Sequence, residues 1–160
     1  MTPDATRRQV EDFVTREARL ADENRYEEWL ELWDDEASYW VPANEDDIDP
    51  QRHVSVIYDD RERLEDRVTR LTKPSAHSQD PPSRMRRTVA NFEYPSDGTD
   101  EHPEVAANFC IVGTRRGKQF VYAGRVEYGL RRTPEGLRLR SKKVLLVDND
   151  VPLENVSFLL

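Results

Sequence analysis

At 160 residues, with 35% of them charged and 9% aromatic, the chain is long enough to bury one core of ordinary size without covalent staples. Its formal charge of -8 repels phosphate backbones and argues against a nucleic-acid partner, while its single cysteine, Cys110, excludes an internal disulfide. The charged fraction exceeds the roughly 25% usual for soluble domains, but the regular recurrence of apolar residues argues against disorder. No apolar leading segment reads as a signal peptide or membrane span, so the expectation is one domain over residues 1–160, cytoplasmic and without a membrane partner.

Thr2-Pro3 reads as a helix N-cap and first helical position, and Val10, Phe13, Val14, Glu17, Ala18 and Ala21 then trace a helical stripe. In RYEEWLELW, Tyr26, Trp29, Leu30 and Trp33 fall at i, i+3, i+4 and i+7, which predicts a second short helix with four large side chains on one face. Such spacing favours core over an aromatic cage. Ser38-Tyr39-Trp40-Val41 looks like a strand closed by Pro42, and after the acidic loop NEDDIDP a second strand is expected over residues 53–58. Asp60 can cap a helix carrying Leu64, Val68 and Leu71, and KPSAHSQDPPS then breaks regular structure.

Beyond that loop the period changes to two. Val105, Ala107, Phe109 and Ile111 alternate with more polar neighbours, as do Phe120, Tyr122, Val126, Tyr128 and Leu130. SDGTDEHP, RRGK and TPEG supply turn residues, which predicts antiparallel pairing, and Gly124 and Gly129 mark expected bulges or bends. Helices first and long strands after argue for an α+β architecture, with the helices on the concave side of one bent sheet.

Zinc and iron-sulfur sites need several thiolates or imidazoles, and here Cys110 stands with only His53, His77 and His102, none at ligand spacing. Neither a nucleophile elbow nor a phosphate loop is present, and Cys110 falls in a strand pattern, where an inert core thiol is expected. General acid-base work needs only one carboxylate or imidazole in an apolar pocket, for which Asp35, Asp59, Asp60, His77 and His102 are candidates; caps, turns and exposed loops are the competing roles. The basic runs RMRR, TRRGK and LRLRSKK suit solvated faces and ion pairs. No catalytic, metal or cofactor-binding residue is therefore assigned.

Four blocks in order, REARLADENRYEEWLELWDDEASYWVP, SVIYDDRERLEDRVTRL, QDPPSRMRRTVANFEY and LRSKKVLLVDND ahead of NVSFLL, resemble the small (beta) subunit of aromatic-ring-hydroxylating dioxygenases. The resemblance implies an NTF2-like/cystatin-like cone, its N-terminal helices packed on a strongly curved antiparallel sheet. It also implies a structural role beside an alpha subunit, typically as an alpha-three beta-three hexamer with the small chains in contact as a trimer. The alpha subunit would carry a Rieske 2Fe-2S cluster and mononuclear Fe(II), and the holoenzyme would form cis-dihydrodiols from arenes with O2 and NAD(P)H. Loop chemistry then points to Asp80, Pro81, Pro82, Ser83 and Arg84 as a docking element, with Arg86 and Trp40 beside it. VSFLL is apolar enough to be expected inside the cone or in a subunit contact. The alternative is a stand-alone isomerase or dehydratase of the same fold, using an Asp-His or Asp-Tyr pair; a binding module without catalysis is a third reading. An open apolar pocket with a titratable group at its base would favour the enzyme, and a filled interior the subunit.

Overall fold

The computed structural model describes residues 3–43, 55–73, 83–148 and 158–160. Pro3 opens α1 (Pro3–Asp22), where its missing N–H is harmless because first-turn amides have no helical acceptor. Val10, Val14, Glu17, Ala18 and Ala21 are buried along the predicted stripe, joined by Leu20, while Phe13 is partly buried. The helix closes on Asn24, whose φ of 56° is left-handed. The Asn24 and Arg25 amides donate back to the Ala21 and Leu20 carbonyls at 3.2 and 2.9 Å, satisfying acceptors that a helix end would leave orphaned.

The chain turns directly into α2 (Tyr26–Glu31), which buries Tyr26 and Trp29. Here the predicted helix through Trp33 stops short, because β1 (Trp33–Pro42) begins at that residue. The C-terminal strand β6 (Gly136–Leu146) captures the backbone: the Leu139 amide donates to the Leu32 carbonyl at 2.8 Å, and Leu139 is the register partner of Trp33. Sheet pairing thus overrides local helical periodicity. The side chains still meet, with Trp29 and Trp33 edge to face at 5.5 Å and both 5.8 Å from Tyr39. These rings are core, as expected. After β2 (Ser55–Asp59), Asp60 caps α3 (Arg61–Thr72), its carboxylate accepting from the Arg63 amide at 2.9 Å, and Leu64 and Val68 are buried.

Three long strands and β6 complete the sheet: β3 (Arg84–Glu93), β4 (Glu104–Arg115) and β5 (Lys118–Thr133), giving the order β2-β1-β6-β5-β4-β3. The expectation of a strongly curved antiparallel cone is corrected here. β1 pairs with β6 in parallel, so the sheet is mixed, and among the described residues β2 and β3 are unjoined edges, so it is open. The β4–β5 ladder runs from Glu104↔Gly129 to Arg115↔Lys118 without a register slip. Turn residues specify only consecutive hairpins, whereas the β1–β6 pairing joins segments about a hundred residues apart in the chain, so no local signal announces its direction. Gly129 does adjoin a bulge on the β6 side, and a Cβ on Gly124 would sit 2.1 Å from the Leu145 carbonyl oxygen. One face of the sheet buries Val105, Ala107, Phe109, Ile111, Val126, Tyr128 and Leu130 beneath the helices. α1 lies against β3, and α3 against β1 and β2.

Candidate functional site

The interior face holds a polar centre that the helical and strand periods place among apolar neighbours. Glu17 occupies the buried stripe of α1, and its Oε1 accepts from Trp29 Nε1 at 3.0 Å and from Lys142 Nζ on β6 at 2.5 Å. Lys142 also donates to the Leu160 main-chain oxygen at 2.6 Å. The Tyr39 hydroxyl accepts from the Leu160 amide at 2.9 Å and donates to the Leu160 oxygen at 3.2 Å. Beside this set, Asp22 accepts from the Arg87 side chain and amide at 2.7 and 2.8 Å, and Arg87 donates at 2.8 Å to the Leu159 oxygen. Glu17 and Asp22 are thus paired with Lys142 and Arg87, which also donate to the main-chain oxygens of Leu160 and Leu159.

Burial governs these groups. The Lys142 ammonium is pulled down by desolvation, opposed by the charge of Glu17, and desolvation raises the phenols of Tyr39 and Tyr128. Glu17 Oε2 is buried without a hydrogen-bond donor among the described residues, so this carboxylate depends on Trp29 and Lys142. Segment 158–160 covers the centre: Phe158, Leu159 and Leu160 are all buried, and the Phe158 ring stacks on Phe120 at 5.1 Å. The apolar VSFLL end is thus interior for the three residues described. The Glu17 carboxylate, the Lys142 amine and the Tyr39 phenol are at most 2% exposed.

The acid-base candidates are dispersed. Asp35 is exposed, Asp60 serves as a helix cap, and Asp59 is held by two bonds from Arg67 at 2.5 and 3.2 Å. His102 is exposed in a turn where its amide donates to Thr99 Oγ1, while His53 and His77 lie outside the described residues. Cys110 is exposed, which corrects its reading as a core thiol: it does lie in β4, but on the alternate that faces outward beside buried Phe109 and Ile111. Among the described residues no group of three or more His, Cys, Asp or Glu is placed to hold a metal ion, and no helix is long and apolar enough to cross a membrane.

Of the expected docking residues, Asp80, Pro81 and Pro82 lie outside the described residues. Ser83 is buried, its carbonyl accepting from Asn24 Nδ2 at 3.4 Å. Strand alternation splits the run RMRR: Arg84 and Arg86 face out, Arg86 within 3.7 Å of Glu23, whereas Arg87 turns inward to Asp22. Trp40 is half-buried on β1, donating to Ser55 Oγ at 2.9 Å with the Lys143 ammonium 4.5 Å from its ring. β1 and β3 are separated by three strands, so Trp40 is not brought to Arg84 and Arg86. Sequence reasoning missed the Glu17–Lys142 and Asp22–Arg87 pairs. A signal existed for the first, since Glu17 falls on an otherwise apolar stripe, where an acid needs a buried partner.

Comparisons with known proteins agree with this architecture. The family model described as "Ring hydroxylating beta subunit" matches residues 16–152. The 2-halobenzoate 1,2-dioxygenase small subunit of Burkholderia cepacia is 37% identical over 139 residues, covering 84% of each chain. Among solved structures, the beta subunit of the benzoate 1,2-dioxygenase of Burkholderia mallei superposes with a TM-score of 0.78 at 26% identity, covering 94% of this chain and 95% of that one. An NTF2-like protein with a cystatin-like fold from Novosphingobium aromaticivorans shares the fold at a TM-score of 0.62 and 15% identity, over 92% of this chain and 85% of its own. The open mixed sheet is accordingly an NTF2-like α+β fold, and the chain belongs to the beta-subunit family of ring-hydroxylating aromatic dioxygenases.

Proposed function

We propose that this chain is the structural small subunit of a multicomponent aromatic-ring-hydroxylating dioxygenase, supporting a catalytic large subunit. The observation that carries this reading is the filled interior. Where an enzyme of the same fold needs an open apolar cavity with an accessible acid or base, segment 158–160 packs on the sheet and the titratable groups are bonded to one another. The stand-alone isomerase reading loses its site for the same reason.

In this reading residues 1–160 form one domain, three copies join three large subunits in the cytoplasm, and the small chains touch as a trimer. The large subunit holds the Rieske 2Fe-2S cluster and the mononuclear Fe(II) that supply oxygen chemistry, in keeping with one cysteine and three histidines in this sequence. Asp80, Pro81, Pro82, Ser83, Arg84 and Arg86 form the docking element on one side, and Trp40 meets a neighbour on the other.

Co-expression with the large subunit of the same system tests the proposal. The two chains are expected to co-elute on sizing, with iron-sulfur absorption in the complex and a colourless small chain when purified alone. Turnover of a small molecule by the isolated small chain, or a large subunit that assembles and works without it, overturns the reading. Arg84→Glu is expected to weaken the complex.

A further inference from the structure

Segment 158–160 belongs to no helix or strand, yet Leu159 and Leu160 are at most 1% exposed. Its main chain is bonded by side chains of the surrounding fold. Lys142 and Tyr39 both donate to the Leu160 oxygen, Tyr39 also accepts from the Leu160 amide, and Arg87 donates to the Leu159 oxygen. Phe and Leu carry no polar side-chain atoms, so this recognition reads the main chain alone. Main-chain bonds of that kind tolerate many side chains and still confer affinity.

The donors are anchored by other parts of the fold. Glu17 holds Lys142 and Asp22 holds Arg87, in pairs whose side chains are at most 4% exposed, and Trp29 holds Glu17 in turn. Polar groups fixed by their own supports and aimed at a separate segment have the make-up of a preformed binding site. The apolar contacts grade from rim to floor. Phe158 stacks on Phe120 at 5.1 Å and lies 5.6 Å from Tyr122, two rings that are only partly buried, while Leu159 and Leu160 lie deeper.

We propose that this interior is a peptide-binding site whose resident ligand is segment 158–160, so that the chain occupies and shuts its own site. The ligand class is a short apolar peptide. Its oxygens meet Lys142, Arg87 and Tyr39, one amide meets the Tyr39 hydroxyl, and one aromatic side chain fills the slot beside Phe120. A peptide is specified over a simple arene because the polar contacts are spread over the main chain of two successive residues. The proposal goes beyond the assembly reading and is tested apart from it.

The test uses the full chain and a fluorescent peptide of residues 155–160, read by anisotropy and by the melting temperature. Phe158→Asp/Leu159→Asp expels the resident segment, and this variant is expected to bind the peptide about tenfold or more tighter than wild type, whose own segment competes. The peptide should also raise its melting temperature. Adding Tyr39→Phe, or methylating the peptide at the Leu160 amide, should weaken binding about threefold to tenfold, while a Leu159→Val peptide changes it far less. The milder Phe158→Ala, which only empties the aromatic slot, should fall between wild type and the double variant and keeps the proposal testable if the latter folds poorly. Peptide that binds neither variant, or binding indifferent to both Tyr39→Phe and amide methylation, overturns the site. Benzamide displacing the peptide at comparable concentration makes it a pocket for small arenes and overturns the ligand named here. Neither failure touches the assembly reading, which is decided by co-elution with the large subunit.

Discussion

The two faces of the central sheet use the same alternation to opposite ends. On the inner face polar groups are few, paired and sealed: Glu17 with Lys142, Asp22 with Arg87, both sets closed by main-chain oxygens of Leu159 and Leu160. On the outer face apolar side chains stand exposed, Val112 and Val121 opposing each other across the β4–β5 ladder. Each face carries the residues that the solvent rule would assign to the other. A buried charge is tolerated only when compensated inside the molecule, whereas an exposed valine is ordinary on a folded surface and costs the fold little. The comparison teaches that the inner exceptions are tied into the stability of the chain and the outer ones are not.

The strongest way to break that contrast is Trp29→Ala, which removes a fully buried ring and a donor to Glu17. A loss of about 3–5 kcal/mol is expected by urea denaturation, whereas a ligand-site tryptophan would leave stability nearly unchanged. Lys142→Met leaves the Glu17 carboxylate buried with one donor and should cost about 3–5 kcal/mol. Adding Glu17→Gln should restore most of that loss, since the amide oxygen can still accept from Trp29 without a buried charge; a double variant as unstable as the single one would show that the pair is not the cause. Tyr39→Phe removes the hydroxyl that bonds Leu160 twice, and about 1–3 kcal/mol should be lost in the same assay. On the outer face, Val121→Ser should change the stability of the isolated chain by no more than about 0.5 kcal/mol; a large loss would make that side chain part of the fold after all.

The subtlest expectation concerns pH. Arg131 bonds Asp34 at 2.5 and 3.0 Å and holds its carboxyl below the ordinary value of 3.8. A carboxyl whose folded value is depressed stabilises the fold above its unfolded value, and that contribution is lost as pH falls through the folded one. Asp34→Asn should therefore lower the denaturation midpoint at neutral pH and leave wild type and variant converging in strong acid. Parallel curves at all pH values would remove the assignment.

Much of this architecture could be read in the residues alone, and the reason is locality. The stripe of α1, the Asp60 cap and the strand period of β4 each depend on neighbours within a few residues, whose spacing dictates one face. The family blocks likewise survive as contiguous strings. Trp33 shows the limit: its spacing from Trp29 predicts a helix, but pairing with Leu139 makes it a strand. Cys110 shows a legible signal misread, since the alternation that buries Phe109 and Ile111 turns it outward.

The sequence by itself therefore determined α1, the Asp60 cap and the period of the long strands, the assignment of Trp29 and Trp33 to core, and the poverty of soft and imidazole donors. Tertiary structure alone decided that β1 lies parallel to β6, that Lys142 and Arg87 find Glu17 and Asp22, and that segment 158–160 closes over them. Those contacts join residues far apart in the chain, and their stability comes from burial and charge compensation, quantities that exist only once distant segments share a dry interior.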